Sequence, residues 1–576
     1  MAITKTIVRK CIHFLKHHHR ALVLLLAPAF LALIFVAGTG KDMRCAYVVL
    51  LMAVYWMTDV LPLAITAFIP VVLFPLLCVM RADDVAPNYL KDNNFLFIGG
   101  LMMALAVEES RLQERFALLI LMLMGSNPRW LMLGFQLATA FLSMWMSNTA
   151  TTAMMLPIVI AVIDELRNIT QQTRKQQEDM QRALLLCVCY SANIGGIGTL
   201  TGTGTNIVLS GQLHTLYPSQ TAISFVSWMA FALPYVCACL LASWLWLQLL
   251  FIGCRRMPHN PNLRQLMRLK YKALGPVRFH EGLVLFMFIL LVLLWFFREP
   301  QVFPGWGSWW PAHTVSDGTS AMGITLLMFM LPRQAPRWWQ VLVSKCTSKT
   351  TMVVESSEVE LASEVDVNDE MVEGKDDKPT PRGTNVGEPL MTWHLVKTKF
   401  DWGTIMLVGG GYAMAAGVKT SGLSDVLSVK LETLSNLPHW VFLLIAVTMI
   451  TFLTEFSSNV ATASIFVPIM ASLADAASMN PLYYMLPVTV ACSFAFMLPV
   501  ATPPNAIVFS SQMIRVRDMF KAGFVMNVLC IGISMLMTET WAWWLFDLGH
   551  RPSWAGNAST TTTTSTSTTV ARVRVW

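Results

Sequence analysis

Runs of apolar residues recur along the whole chain, at 21–36, 47–69, 95–107, 224–251, 282–297, 322–331, 484–498 and 524–546. Several approach or exceed the ~20 residues that a helix needs to cross a ~30 Å hydrocarbon core. Backbone N–H and C=O groups find no water there, so only helices and closed barrels can span it. Period-two alternation, the mark of a barrel strand, is absent. The chain is therefore read as an all-α polytopic membrane protein. Its charge content agrees: 13% of the 576 residues are charged, against about 25% in soluble domains.

Two short polar strings interrupt this apolar background, and each occurs twice. Ser147-Asn148-Thr149-Ala150-Thr151 leads to Pro157-Ile158, and Ser458-Asn459-Val460-Ala461-Thr462 leads to Pro468-Ile469. Thr203-Gly204-Thr205-Asn206 follows the first, and Thr502-Pro503-Pro504-Asn505 follows the second. Polar, helix-breaking sequence is costly in a bilayer unless it lines a protected cavity. Matching interruptions in two halves of a chain point to the binding site of a secondary transporter. Each half is expected to hold a re-entrant hairpin with a polar tip, near 133–166 and 441–474. Each then holds a broken helix, near 183–211 and 482–511.

Basic residues flank the spans, where they set orientation. Lys5, Arg9, Lys10, Lys16 and Arg20 precede the first run, so residues 1–20 are expected to be cytosolic. That run is long and no small-x-small site follows it, so it is read as a span and not as a cleaved signal. The first transporter half then covers 21–252, and a basic cytosolic connector covers 253–278. The second half starts at 279–343 and resumes at 400–551. Between these lies a polar, locally acidic cytosolic loop, 344–399, expected to be largely disordered. The tail, 552–576, is Ser/Thr-rich and carries the sequon Asn557-Ala558-Ser559. Glycosylation of Asn557 is expected if the tail is extracellular. The net charge of +7 is spread over these flanks and indicates no nucleic-acid partner. The eleven cysteines lack metal-site spacing. No catalytic triad or nucleotide fold is evident, and Gly409-Gly410-Gly411 lacks the Lys-Ser/Thr continuation of a phosphate loop. The chain is not expected to be an enzyme.

An amide oxygen can coordinate Na⁺ and an amide nitrogen can donate to an anion, so Asn148 and Asn459 suit a cotransport site. Ser143 lies five residues before Asn148, and Thr454 lies five before Asn459. Each hydroxyl could complete a hard-oxygen cation shell, so the duplication predicts two related cation sites. Neither motif contains Arg or Lys. An anion held there by neutral groups alone would face a large desolvation cost, which makes bound Na⁺ obligatory. Glu455, beside the second motif, is either functional or structural. Ser, Thr and Asn also join helices in membranes, and that is the competing reading of both motifs.

These strings resemble the divalent anion/sodium symporters, the sodium-coupled di- and tricarboxylate and sulfate carriers. The resemblance also rests on Tyr55-Trp56, Leu61-Pro62-Leu63-Ala64, Phe141-Leu142-Ser143-Met144-Trp145 and Leu200-Thr201-Gly202-Thr203. Trp244-Leu245-Trp246-Leu247-Gln248, Gly409-Gly410-Gly411-Tyr412 and the long string from Phe494 to Phe509 extend it. It implies an inverted-repeat, elevator-type fold of about eleven transmembrane helices and two re-entrant hairpins. It also implies a homodimer in the plasma membrane, with an inside N-terminus and an outside C-terminus. Na⁺ is the coupling ion and no organic cofactor is implied. Carried over residue by residue, sodium ligands fall on Ser143, Asn148 and Gly202, and on Thr454, Asn459 and Ala501. Asn206 and Asn505 join the sodium set, one from each interruption. Substrate contacts fall on Asn148, Thr149, Asn459, Val460, Thr502 and Pro503.

Val460 and Thr502 resemble the citrate and low-affinity dicarboxylate carriers of animals; sulfate carriers tend to have Pro and Asn there. Succinate- or citrate-type anions are therefore expected, with sulfate as the alternative. A transport-inactive homologue acting as a receptor or scaffold is a further alternative, and an ion channel is another. The sequence departs from the family at Gln113, Glu114, Ala416 and Thr205. Thr205 stands where Pro is common, which is expected to loosen the first break.

Overall fold

A computed structural model of the chain describes residues 20–124, 127–167, 174–220, 222–253, 261–300, 303–311, 314–335, 388–426 and 438–556. The N-terminus up to residue 19, residues 344–387 of the polar loop, and Asn557 with the tail beyond it lie outside the described residues. The described elements are helices, joined at one place by an isolated bridge between Pro332 and Pro389. Among them six are long and apolar enough to cross a membrane: Ala82–Glu109, Asn148–Arg167, Phe225–Ile252, Phe279–Arg298, Asn459–Ala476 and Val516–Phe546. Shorter apolar helices are Arg20–Val36, Leu63–Leu76, His439–Leu453 and Pro481–Ala491.

The apolar run at 47–69 does not form one helix. Lys41–Thr58 stops at Asp59, which turns left-handed with φ 48°. Pro62 precedes the short turn Leu63–Thr66, and a proline cannot donate to the preceding turn. The indole of Trp56 donates to Leu63 O at 3.1 Å, across the corner. The two family strings at 55–56 and 61–64 are thus one structural unit.

Each half contains two helices meeting at a polar turn. In the first, Pro128–Ser143 meets Asn148–Arg167; in the second, His439–Leu453 meets Asn459–Ala476. Asn127 caps the first of these through Arg129 N, with Pro128 at the position where a missing N–H costs nothing. Each half then contains a broken helix. Arg174–Gly195 passes through the 3-10 turn Gly196–Gly198 and an extended Thr203 before Gly204–Leu216. Pro481–Ala491 unwinds and restarts at Pro503–Ser510 after an extended Thr502.

Pro157 and Pro468 lie nine residues into the helices that begin at Asn148 and Asn459. A helix proline leaves the carbonyl four residues earlier without its partner. For Pro468 that carbonyl is Ser464 O, and buried Gln212 of the other half donates to it at 3.1 Å. The halves are therefore joined where one of them is broken.

The glycine triplet serves close packing. A Cβ on Gly409 would meet Tyr89 at 2.8 Å, one on Gly410 would meet Ala67 at 2.7 Å, and one on Gly411 would meet Ser464 Oγ at 2.5 Å. The basic connector contains a helix, Pro261–Ala273. Buried Arg115 ties its end down, pairing with Glu281 at 2.9 Å and donating to the carbonyls of Leu274, Gly275 and Pro276. Of the polar loop, expected to be largely disordered, the last part, 388–399, is ordered. Leu390, Met391 and Val396 are buried, and Thr392 caps the helix Trp393–Lys399. Three apolar side chains among the polar ones suffice to dock it.

Candidate substrate and sodium site

The two polar turns and the two helix breaks converge on one cavity of about 620 Å³. All six predicted substrate residues line it: Asn148, Thr149, Asn459, Val460, Thr502 and Pro503. Of the predicted sodium ligands, Gly202 and Ala501 also line it. Ser143, Thr454, Asn206 and Asn505 do not; they are buried behind the wall.

Those four residues organise the wall in the same way in both halves. Ser143 Oγ lies 2.6 Å from Asn148 Oδ1 and 2.7 Å from Ala192 O. Thr454 Oγ1 lies 2.8 Å from Asn459 Oδ1 and 2.8 Å from Cys492 O. Each triad gathers three oxygens around one hydroxyl proton, and that proton can serve only one of the two approaches. Either the amide turns to present its nitrogen, or a cation draws the oxygens together. The donor set is one that suits a hard cation such as Na⁺.

Asn206 and Asn505 hold the breaks in shape. Asn206 Nδ2 donates to the carbonyls of Gly196 (3.1 Å), Ile197 (3.3 Å) and Thr199 (2.7 Å). Asn505 Nδ2 donates to Ala495 O at 3.0 Å and Leu498 O at 2.9 Å. In both halves, carbonyls ten and seven residues earlier are bound. These are the carbonyls that an interrupted helix leaves without partners. The amide oxygen of Asn505 has no hydrogen-bond partner in its buried position.

The broken helices also reach each other. Asn193 of the first half donates to Thr502 Oγ1 at 3.1 Å and to Ala495 O at 3.3 Å. Ser493 of the second half meets the hydroxyl of Thr205 at 3.3 Å. Thr205, where the family commonly has Pro, thus supplies a hydroxyl that bridges the halves. Val460 crosses as well: a Cβ on Gly204 would meet its Cγ2 at 2.7 Å.

A model of the sodium:sulfate symporter transmembrane region matches residues 16–548. The chain belongs to that family. Its relatives include the rat Na⁺/citrate cotransporter, 38% identical over 96% of this chain and 99% of the relative. The Caenorhabditis elegans sodium-dependent low-affinity dicarboxylate transporter 1 is 41% identical over 92% of this chain and 91% of the relative. The human Na⁺/dicarboxylate cotransporter 3 is 37% identical over 93% and 94%. This family member is a multi-pass membrane transporter and not an enzyme.

Several lining residues of this symporter escaped the sequence reading. Asn193 is one, although it lies just before the quoted break. Trp56, Asp59, Asp401 and Thr404 are others. They come from segments that carry no repeat, so duplication could not reveal them. The cavity lining includes two carboxylates, Asp59 and Asp401, and no Lys or Arg. Asp401 also caps its helix through Thr404 N at 3.1 Å.

Glu455 turns out to be a scaffold for the second break. Its carboxylate accepts from the backbone N–H groups of Phe496 (2.8 Å), Met497 (2.9 Å) and Leu498 (3.1 Å), and from Asn527 Nδ2 (2.8 Å). Four donors meet one buried carboxylate, which satisfies groups the unwound segment would otherwise leave bare.

Proposed function

We propose that the chain is a sodium-coupled symporter that imports di- or tricarboxylates such as succinate or citrate. The observation that carries this reading is the matched pair of oxygen triads flanking one cavity that lacks basic side chains. Na⁺ at Ser143–Asn148 and at Thr454–Asn459 supplies the positive charge that the protein withholds. Gly202 and Ala501 add backbone carbonyls to the two ion sites. Asn206 and Asn505 hold the carbonyl loops around them. The anion lies between Asn148, Thr149, Asn459, Val460, Thr502 and Pro503. An anion entering before the ions would face Asp59 and Asp401 unscreened, so ions bind first. A dianion must travel with more than two Na⁺ if the membrane potential is to drive it inward.

The mechanism proposed is elevator-type alternating access within a homodimer. The proposed topology has about eleven spans and two hairpins, with the N-terminus cytosolic, the tail extracellular and Asn557 glycosylated. The plasma membrane is the proposed location. Carboxylate is favoured over sulfate because Val460 and Thr502, both in the cavity lining, match the carboxylate carriers, where sulfate carriers tend to have Pro and Asn.

Uptake of labelled succinate, citrate and sulfate in Na⁺ and in choline tests this reading. Carboxylate uptake that vanishes in choline is expected. Equal uptake in both media removes the symport claim. Val460→Thr is expected to change the preference among the three anions several-fold, the scale of one net hydrogen bond of about 0.5–1.5 kcal/mol. Unchanged ratios at normal surface expression place that side chain in packing.

A further inference from the structure

A second cavity, of about 400 Å³, lies at one end of the bundle, among residues outside the transport site. It sits between the start of Arg174–Gly195, the end of the span that closes at Gly253, and the start of Val516–Met537. Lys175, Asp179, Asp518 and Lys521 form its polar wall, and Leu249 to Gly253 form the other. Its volume falls within the ~300–1,000 Å³ of small-molecule sites.

The wall carries two charges of each sign, but they are not paired with each other. Both acids turn to one shared Arg182, which meets Asp179 at 3.1 Å and Asp518 at 3.2 Å. It also meets Glu178, at 3.2 Å. Among the described residues, Lys175 and Lys521 have no ion pair of their own, and both are exposed. The cavity therefore presents two uncommitted ammonium groups beside an apolar lip, on which Leu249 is 69% exposed.

The tryptophans place this mouth at the membrane surface. Trp244 and Trp246 lie one to two turns before it; Trp246 donates to Ala522 O at 3.0 Å and Trp244 to Arg129 O at 3.2 Å. Trp130 packs against Trp244 with ring centroids 5.9 Å apart. Tryptophans gather at the headgroup level of a bilayer. Arg129 donates to Gly253 O at 3.0 Å and so fixes the rim.

We propose that this cavity binds the headgroup of an anionic phospholipid, with its phosphate between Lys175 and Lys521 and its acyl chains along Leu249 and Leu250. Cations and apolar lip fit the two ends of one amphiphile. Basic pockets between helices on the cytoplasmic side recognise such headgroups, and the basic flanks put this end of the bundle there. The site does not depend on which anion is transported.

The test uses the purified full chain in a neutral detergent. Thermal unfolding is followed while dihexanoyl phosphatidylglycerol, dihexanoyl phosphatidylcholine or inorganic phosphate is added. The unfolding temperature is expected to rise with phosphatidylglycerol alone. Lys175→Gln/Lys521→Gln is expected to need roughly tenfold or more of that lipid for the same rise, given the contribution of a surface lysine pair. Lys175→Arg/Lys521→Arg, which keeps the charge, is expected to respond as wild type does. Equal responses of wild type to the two lipids overturn the proposal, and that arm needs no variant. A response reproduced by inorganic phosphate alone overturns it in favour of a free anion. A Gln/Gln variant that titrates like wild type overturns it too.

Discussion

The two broken helices carry the same hydrogen-bond scheme on different scaffolds. In both, a hydroxyl joins an amide oxygen to the last helical carbonyls, and an asparagine binds carbonyls ten and seven residues back. Around that scheme the halves diverge. Glu455 accepts three backbone N–H groups in the second half. Met144 holds the matching position in the first, where Thr199 donates to its carbonyl and Trp228 donates to Ile197 O. What is repeated is the set of oxygens gathered around the two cavity-lining asparagines, Asn148 and Asn459. What differs is how the backbone is held behind them. That division is expected if the oxygens bind the same ion twice while each scaffold only has to keep them in place.

The polar turns differ likewise. Trp145, two residues after Ser143, packs against Phe288 with ring centroids 5.1 Å apart. Phe456, two residues after Thr454, is 72% exposed. One tip packs an aromatic side chain inward and the other leaves one exposed, so the two tips sit in different environments despite their common bonds.

The largest expected effect comes from a glycine that only the first half needs. A Cβ on Gly202 would lie 2.5 Å from Gly196 O and 3.0 Å from Met144 O. Ala501 already carries that Cβ in the second break. Gly202→Ala is expected to abolish uptake, and Ala501→Gly to retain it within about twofold, since Gly for Ala costs about 1 kcal/mol or less. Uptake assays at matched surface expression check this. Similar losses in both would mean that the two breaks are equally tight.

The next effect separates the scaffolds. Glu455→Ala leaves three backbone donors and Asn527 without an acceptor, at about 1–3 kcal/mol for each buried group. Little folded protein is expected at the surface. Glu455→Gln keeps an acceptor oxygen and is expected to fold with a lowered unfolding temperature. Met144→Ala, at the matching position, removes packing and no acceptor, and is expected to lower it less. A Glu455→Gln variant as stable as wild type would deny Glu455 its scaffold role.

Asn193 offers the smallest and sharpest test. Its amide fixes the hydroxyl of Thr502 across the halves. Asn193→Ala is expected to weaken apparent substrate affinity several-fold, on the scale of one hydrogen bond, and to leave surface expression unchanged. Equal affinity would make the contact dispensable.

Much of this was legible in the sequence because it is written twice. Ser147-Asn148 and Ser458-Asn459, with the breaks at Gly204 and Pro503, stood out against apolar runs, and all four sets meet at one cavity. Helix ends were less legible. The run at 47–69 hides a corner at Asp59 that hydropathy does not register. The cross-half partners were hidden altogether: Gln212 and Ser464, or Asn193 and Thr502, are far apart in sequence and show no pattern until the halves pack.

The central claim is that the two asparagine triads are equivalent cation sites. It is tested most directly by the Na⁺-induced rise in unfolding temperature of the purified chain, measured against choline. Asn148→Ala and Asn459→Ala are each expected to weaken the response, and the double variant to lose it. A double variant that Na⁺ stabilises as strongly as wild type would contradict the account.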